Sequence, residues 1–197
     1  MLKELLKDHH IILASGSPRR QELIKNLGLD VEIKLKPVNE IYPKHLQHAE
    51  ITDYLAQLKA EPFKDTLNPN DILITSDTIV WHEQHALGKP RDQQDAFHMI
   101  RSMSNKTHEV ISSICLTTVA QQLTEHCCTE VTFKDLSDEE IWYYVKNYEC
   151  LDKAGAYGIQ DWIGQVAVTE IKGSYFNVMG LPMHLVYETL IKLTSHD

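Results

Sequence analysis

Three observations predict an α/β fold with an extended mixed β-sheet flanked by helices. Two short apolar runs, Ile11 to Ala14 and Ile72 to Ser76, are continuous enough to be strands buried on both faces. Segments with apolar residues at helical spacing follow each run, so strands and helices alternate along the chain. From His108 to Phe133 the period drops to two: Val110, Ser112, Ile114, Leu116 and Thr118 sit two apart. Gln121-Gln122 interrupts the run and a second β-rich stretch follows, the pattern of a long hairpin. Long hairpins imply a sheet extended beyond a purely parallel one.

The first strand ends in Ser15-Gly16-Ser17, small residues that permit a tight turn. A helix begins there, with Ser17 as N-cap and Pro18 in the first helical position, where a missing N–H costs nothing. Arg19 and Arg20 come next, at the wrong end for their charge. The helix macrodipole already puts positive charge there, and each cation should cost about 0.3–1 kcal/mol. Free N–H groups, two hydroxyls and two guanidiniums converging on one point suit a polyphosphate, whereas the fold alone has no evident need of them. The competing expectation is two solvated arginines on an ordinary helix.

A second strand is expected from Val31 to Leu35, with a turn at Pro37-Val38-Asn39-Glu40. Ile51, Leu55, Leu58 and Phe63 mark a helix over about 48–63. The Ile72 run should stop at Asp77-Thr78, and Ile79 to Trp81 with Ala86-Leu87 form a short hairpin. Asp92 or Gln93 opens a helix to Met103. Ser137-Asp138-Glu139-Glu140 is a capping box opening a helix to about Asn147. A Gly-rich loop covers Lys153 to Gly158, and Val166 to Ile171 reads as a strand turning at Lys172-Gly173. Pro182 opens the last helix, which ends near Leu193.

At 197 residues the chain has room for one large domain or two small ones, and for a core that needs no staples. No apolar run approaches the roughly 18 residues of a membrane span. The first residues lack the apolar stretch of a signal peptide. A net charge of −9 argues against a nucleic-acid binder, and it makes a local basic cluster more telling. Cys115, Cys127, Cys128 and Cys150 form no CxxC, and together with the missing signal they read as reduced thiols of a cytoplasmic protein. The spacing around His126 is wrong for zinc, and His45, His48, His82 and His85 read as surface residues.

Asp77 is expected directly beyond a strand end, where ligand crevices of open α/β sheets lie. Beside a phosphate site a carboxylate holds Mg²⁺ or activates water; otherwise it is a turn aspartate bonded to its own backbone. Glu40 offers a further metal oxygen or is solvated. Lys59 and Lys89 are candidates to neutralise phosphate, and Gly88 and Pro90 hold Lys89 on a short loop. Gln160 carries both a donor and an acceptor, as recognition of a pyrimidine edge requires. There is no Walker A motif, no Gly-x-Ser-x-Gly and no His-Glu-x-x-His.

Taken in order, several segments resemble the Maf family of nucleoside triphosphate pyrophosphatases. They are Ala14-Ser15-Gly16-Ser17-Pro18-Arg19-Arg20, Ser76-Asp77-Thr78, Gly88-Lys89-Pro90, Asp152-Lys153-Ala154-Gly155-Ala156-Tyr157-Gly158-Ile159-Gln160, and Gly173-Ser174-Tyr175-Phe176-Asn177-Val178-Met179-Gly180-Leu181-Pro182. The Pro-Arg-Arg, Asp-Thr and Tyr-Gly-Ile-Gln forms are similar to the dTTP/UTP subgroup rather than the 7-methyl-GTP one. The resemblance implies an inosine-triphosphatase-like fold, with residues 1–197 as one domain. It also implies hydrolysis of dTTP, UTP or modified pyrimidine nucleotides to monophosphate and pyrophosphate with Mg²⁺ or Mn²⁺, a house-cleaning role, and a homodimer.

By motif, Asp77 is the implied proton acceptor, and Arg19, Thr78 and Gln160 fall where substrate choice is made. Ser15, Arg20, Lys59 and Lys89 fall on phosphate positions, joined by Ser17 of the same turn, with Glu40 and Asp77 at the metal. Ser76 stands where alanine is usual, and Asp161 where glycine is usual, adding negative charge beside the base-reading loop. The alternatives are a nucleotide-binding regulator of cell division with little turnover, and an enzyme clearing deaminated purine triphosphates.

Overall fold

The two continuous apolar runs form adjacent parallel strands in the computed structural model, which describes residues 1–194. The elements are α1 (Leu2–Leu5), β1 (His10–Leu13), α2 (Pro18–Lys25), β2 (Val31–Ile33), α3 (Ala49–Ala60), β3 (Asp71–His82), β4 (His85–Leu87) and α4 (Gln93–Met103). They continue with β5 (Thr107–Thr117), β6 (Gln122–Phe133), α5 (Asp138–Asn147), α6 (Trp162–Ala167), β7 (Val168–Lys172), α7 (Tyr175–Val178) and α8 (Met183–Thr194). Among the described residues seven strands form one mixed sheet, ordered β2-β1-β3-β5-β6-β7 with β4 paired to β3. The α/β expectation holds.

The chain makes two compact units. The first comprises Met1–Asp77, Ser112–Cys127 and the segment from Gly180; the second comprises Thr78–Ile111 and Cys128–Met179. In the first, β1 lies between β2 and β3, both parallel to it, with Ile11 opposite Val31 and Ile72. Parallel strands covered on both faces need apolar residues at successive positions, which the Ile11 and Ile72 runs supply. Ile12 and Leu73 pack with Ala56, Ala60, Phe63 and Cys115. Burying a side chain the size of Phe63 contributes about 1.5–3 kcal/mol. Thr75 is polar inside this core, but its hydroxyl donates to the Ala56 carbonyl of α3 at 2.7 Å.

In the second unit β4 pairs antiparallel with the end of β3, and β7 with the end of β6. The core there includes Phe97, Ile100, Val131, Phe133, Ile141 and Ile163. Gly155 has φ +66°, and a Cβ there would stand 2.7 Å from Val80 Cγ2, so both backbone shape and space require glycine. The capping box forms as expected: Glu140 N–H donates to Ser137 Oγ at 3.2 Å, and Ser137 N–H donates to Glu140 Oε2 at 2.8 Å.

Several local expectations are corrected. β3 does not stop at Ser76; it continues to His82 because Val80 and Trp81 find ladder partners in Leu87 and Ala86. Asp77 and Thr78 therefore lie inside a strand. The segment 162–167, whose end reads as strand, is helix α6, since Ile163 and Ala167 are four apart and both buried. α3 ends at Ala60 and continues as a 3₁₀ helix, Glu61–Thr66, where Pro62 cannot supply an α-helical N–H. The short helix α1 has no side-chain cap, whereas α7 opens at Ser174, whose Oγ accepts from Asn177 N–H at 3.3 Å. His82 is 4% exposed, and its Nε2 lies 2.9 Å from the Ser102 carbonyl, so it is not a surface residue. Among the described residues no helix is long and apolar enough to cross a membrane.

His108 of β5 is buried in the second unit and shares a 2.7 Å hydrogen bond between Nε2 and Tyr157 Oη. Its Nδ1 has no hydrogen-bond partner among the described residues. Burial, followed by the nearby His82, pushes its imidazole from 6.5 down to about 3. The unfolded chain therefore takes up this proton first as the pH falls. Stability from His108 is complete above 6.5 and is lost as the pH falls toward about 3. Urea unfolding between about pH 4 and 6 should show a slope of up to about 1.4 kcal/mol per pH unit that His108→Phe removes. An identical slope in the variant would assign the effect to other groups.

Candidate active site

The first unit gathers seven of the expected residues. β1 feeds the Ser15-Gly16-Ser17 turn, and α2 starts there because Ser17 caps it: Arg20 N–H donates to Ser17 Oγ at 3.5 Å. Ser17 N–H donates to Ser15 Oγ at 3.2 Å, and Gln21 Nε2 donates to the Ser15 carbonyl at 3.0 Å. A hydroxyl that accepts in this way still has its own proton to donate. The turn is thus held from within, with Ser15 buried and Ser17 half-buried.

Arg19 and Arg20 are both half-buried on the first turn of α2. Arg20 Nε donates to the Gly180 carbonyl at 2.7 Å, and Nη1 donates to the Ser76 carbonyl at 2.9 Å. Burial pushes its guanidinium down and the field of Asp77 pushes back. The expectation that the fold has no need of these cations is therefore corrected for Arg20, as is the alternative of a solvated arginine. Two carbonyls and a carboxylate compensate its charge against the helix dipole.

Asp77 is 6% exposed. Lys59, in the last turn of α3, donates from Nζ to Asp77 Oδ1 at 2.5 Å and lies 3.3 Å from Glu40 Oε1. Lys59 is mostly buried, and Glu40, in the coil between β2 and α3, is half-exposed. Burial pushes the Asp77 carboxyl up, Lys59 and then Arg20 pull it back, and it stays above the ordinary carboxylate value. A buried base of raised proton affinity among cations can take a proton from water while the cations face an anion. The Asp77 and Glu40 carboxylates already share one cation, the Lys59 ammonium. Their hard oxygens are the donor type that Mg²⁺ and Mn²⁺ take, so the pair fits a divalent ion.

The second unit carries the remaining expected residues. Thr78 follows Asp77 on β3 and is half-buried, and Lys89 is exposed in the Gly88-Lys89-Pro90 loop. Gly155 N–H donates to the Gly88 carbonyl at 3.0 Å, which ties that loop to the Gly-rich segment. Gln160 closes the segment, half-buried, with Oε1 unpartnered among the described residues. Asp161 has partners of its own beside Gln160: its Oδ2 accepts from Tyr144 Oη at 2.7 Å and lies 3.8 Å from Lys153 Nζ. Sequence reasoning singled out neither Tyr144 nor His108. The available signal for Tyr144 was its place on the apolar stripe of α5, where a buried phenol must find a polar partner.

Known proteins match this chain over nearly its whole length. A dTTP/UTP pyrophosphatase of Flavobacterium johnsoniae is 61% identical over 193 residues, covering 98% of this chain and 100% of that protein. A dTTP/UTP pyrophosphatase of Flavobacterium psychrophilum is 55% identical over 194 residues, with the same coverage. The structure of the Staphylococcus aureus Ham1 protein shares the fold at a TM-score of 0.51 and 13% identity, over 95% of this chain and 100% of that one. The Maf-like protein model matches residues 10–193. With the helix-capping turn, the buried Asp77–Lys59 pair and the Tyr-Gly-Ile-Gln loop in place, this chain belongs to the Maf-like family.

Proposed function

We propose that this chain is a hydrolase that cleaves nucleoside triphosphates, dTTP and UTP foremost, to the monophosphate and pyrophosphate, with residues 1–197 acting as one catalytic domain. The observation that carries it is Asp77, a buried carboxyl of raised proton affinity held against Lys59. A regulator that only binds nucleotide has no use for such a base, and the relatives named as dTTP/UTP pyrophosphatases favour turnover as well.

In this mechanism a water oxygen attacks the α-phosphorus and its proton passes to Asp77. The bond from the α-phosphorus to the bridging oxygen breaks, and pyrophosphate leaves with the electron pair. Ser15, Ser17, Arg20, Lys59 and Lys89 hold the phosphates. Arg19, Thr78 and Gln160 select the base. Glu40 and Asp77 would hold Mg²⁺ or Mn²⁺, which supplies charge neutralisation when bound. Positioning and electrostatic stabilisation account for the acceleration, with no covalent intermediate. A homodimer in the cytoplasm belongs to the same proposal.

A panel of dTTP, UTP, CTP, ATP, GTP and ITP, assayed for pyrophosphate with Mg²⁺, with Mn²⁺ and with a chelator, tests it. The expected result is release from dTTP and UTP that the chelator abolishes. Stoichiometric binding without release would establish the regulator, and preference for ITP would establish the purine-clearing enzyme.

A further inference from the structure

Gln160 presents a buried amide oxygen with no hydrogen-bond partner among the described residues. A buried acceptor left open is unfavourable until a donor completes it, and a flexible glutamine would turn it to water. The second unit holds Gln160 from both sides with one hydroxyl. Tyr144 Oη accepts the Gly158 N–H at 3.1 Å and donates to Asp161 Oδ2 at 2.7 Å. Both capacities of that phenol are therefore spent on residues flanking Gln160. Burial, then Asp161, drives its pKa far up, so it stays a protonated donor. Lys153, itself buried, faces Asp161 and donates to the Glu149 carbonyl. The loop is also pinned at Tyr157, through its hydrogen bond with His108.

We infer that Tyr144 and Asp161 are positioning residues that set base selectivity, by holding the chain on both sides of Gln160 so that its covered Oε1 meets a ring N–H once a base enters. This rests on the pyrimidine triphosphate activity proposed above. Uracil and thymine carry an imide N–H at ring position 3, where cytosine has a lone pair. A rigid acceptor there pairs with the first class and repels the second, whereas a mobile amide could flip and accept either. Asp161, where the resemblance leads one to expect glycine, thus serves the loop as a strut.

Two variants test the strut. Tyr144→Phe removes the shared hydroxyl. Gly158→Ala keeps the backbone N–H and adds a Cβ that would stand 2.6 Å from Asp161 Oδ2, 2.8 Å from Gln160 Nε2 and 2.9 Å from Lys153 Cε. Those atoms are ends of flexible side chains, so the fold can yield while the polar ends are displaced. In both variants KM for UTP should rise about tenfold, and the preference for UTP over CTP should fall about tenfold. Change in kcat should stay below about twofold, the mark of lost positioning rather than lost chemistry. A lowered melting temperature with an unchanged UTP-to-CTP ratio would overturn the inference. If the parent binds a non-hydrolysable UTP analogue but releases no pyrophosphate, the hydrolase proposal fails. The strut is then judged by the analogue's Kd, and an unchanged Kd in both variants overturns it. If the parent does not bind the analogue at all, both proposals fall.

Discussion

Asp77→Asn should abolish turnover and leave the protein folded with nucleotide bound. Asparagine keeps the shape of the side chain and loses the capacity to take a proton, so kcat should fall about a hundred- to ten-thousandfold. Binding of dTTP without added metal should not weaken, because the variant removes a negative charge from beside the phosphates, whereas the affinity for Mg²⁺ should fall with the loss of one of its two carboxylates. Asp77 holds its proton to higher pH in the folded state than in the unfolded chain. Its stabilising contribution is present at low pH and lost as the pH rises through the folded-state value. Asparagine keeps an oxygen that can accept from Lys59 Nζ, and Lys59 keeps Glu40 at 3.3 Å, so the pocket stays assembled. The expected set is lost pyrophosphate release, metal-free dTTP affinity unchanged or tighter, and a cooperative melting transition. Hydrolysis at the parent rate would remove Asp77 from the role of base.

Arg20→Met should damage both the fold and the chemistry. It strands the carbonyls of Gly180 and Ser76, to which the guanidinium donates at 2.7 and 2.9 Å. Losing charged hydrogen bonds at a half-buried position should lower unfolding free energy by roughly 2–4 kcal/mol, read by urea titration. Arg20 also lowers the proton affinity of Asp77. Without it the carboxyl rises further, and the acid limb of the pH–rate profile moves to higher pH. Arg20→Lys restores the charge but not the planar fork, so it should recover more of the pH profile than of the stability. An unchanged urea midpoint in Arg20→Met would show that the two carbonyl contacts contribute nothing.

Much of the local structure was legible. Ser17 and Pro18 announce α2, Ser137 and Glu140 announce α5, and apolar continuity announces β1 and the first half of β3. Each of these signals acts between residues a few positions apart, through caps, period and turn chemistry. Where the signal depended on a neighbour brought in by folding, local pattern failed. The hairpin of Ile79 to Trp81 with Ala86-Leu87 was legible, but not that its first strand continues β3 through Asp77, and His82 is buried although the residues that follow it are polar. Asp161 looked like misplaced charge until Tyr144, seventeen residues earlier, supplied its partner.

The sequence by itself determined the α/β alternation, the helix-opening turn with its two arginines, and the identities of the chemical groups: one aspartate, the lysines, the glutamine. Only the tertiary structure decided what those groups are. It buried Asp77 against Lys59, tied Arg20 to a carbonyl 160 residues away, and stretched Asp161 onto a phenol. The physical reason is range. Backbone preference is set within a turn or two of the chain, whereas proton affinity and hydrogen-bond satisfaction depend on burial and on partners that only packing brings near.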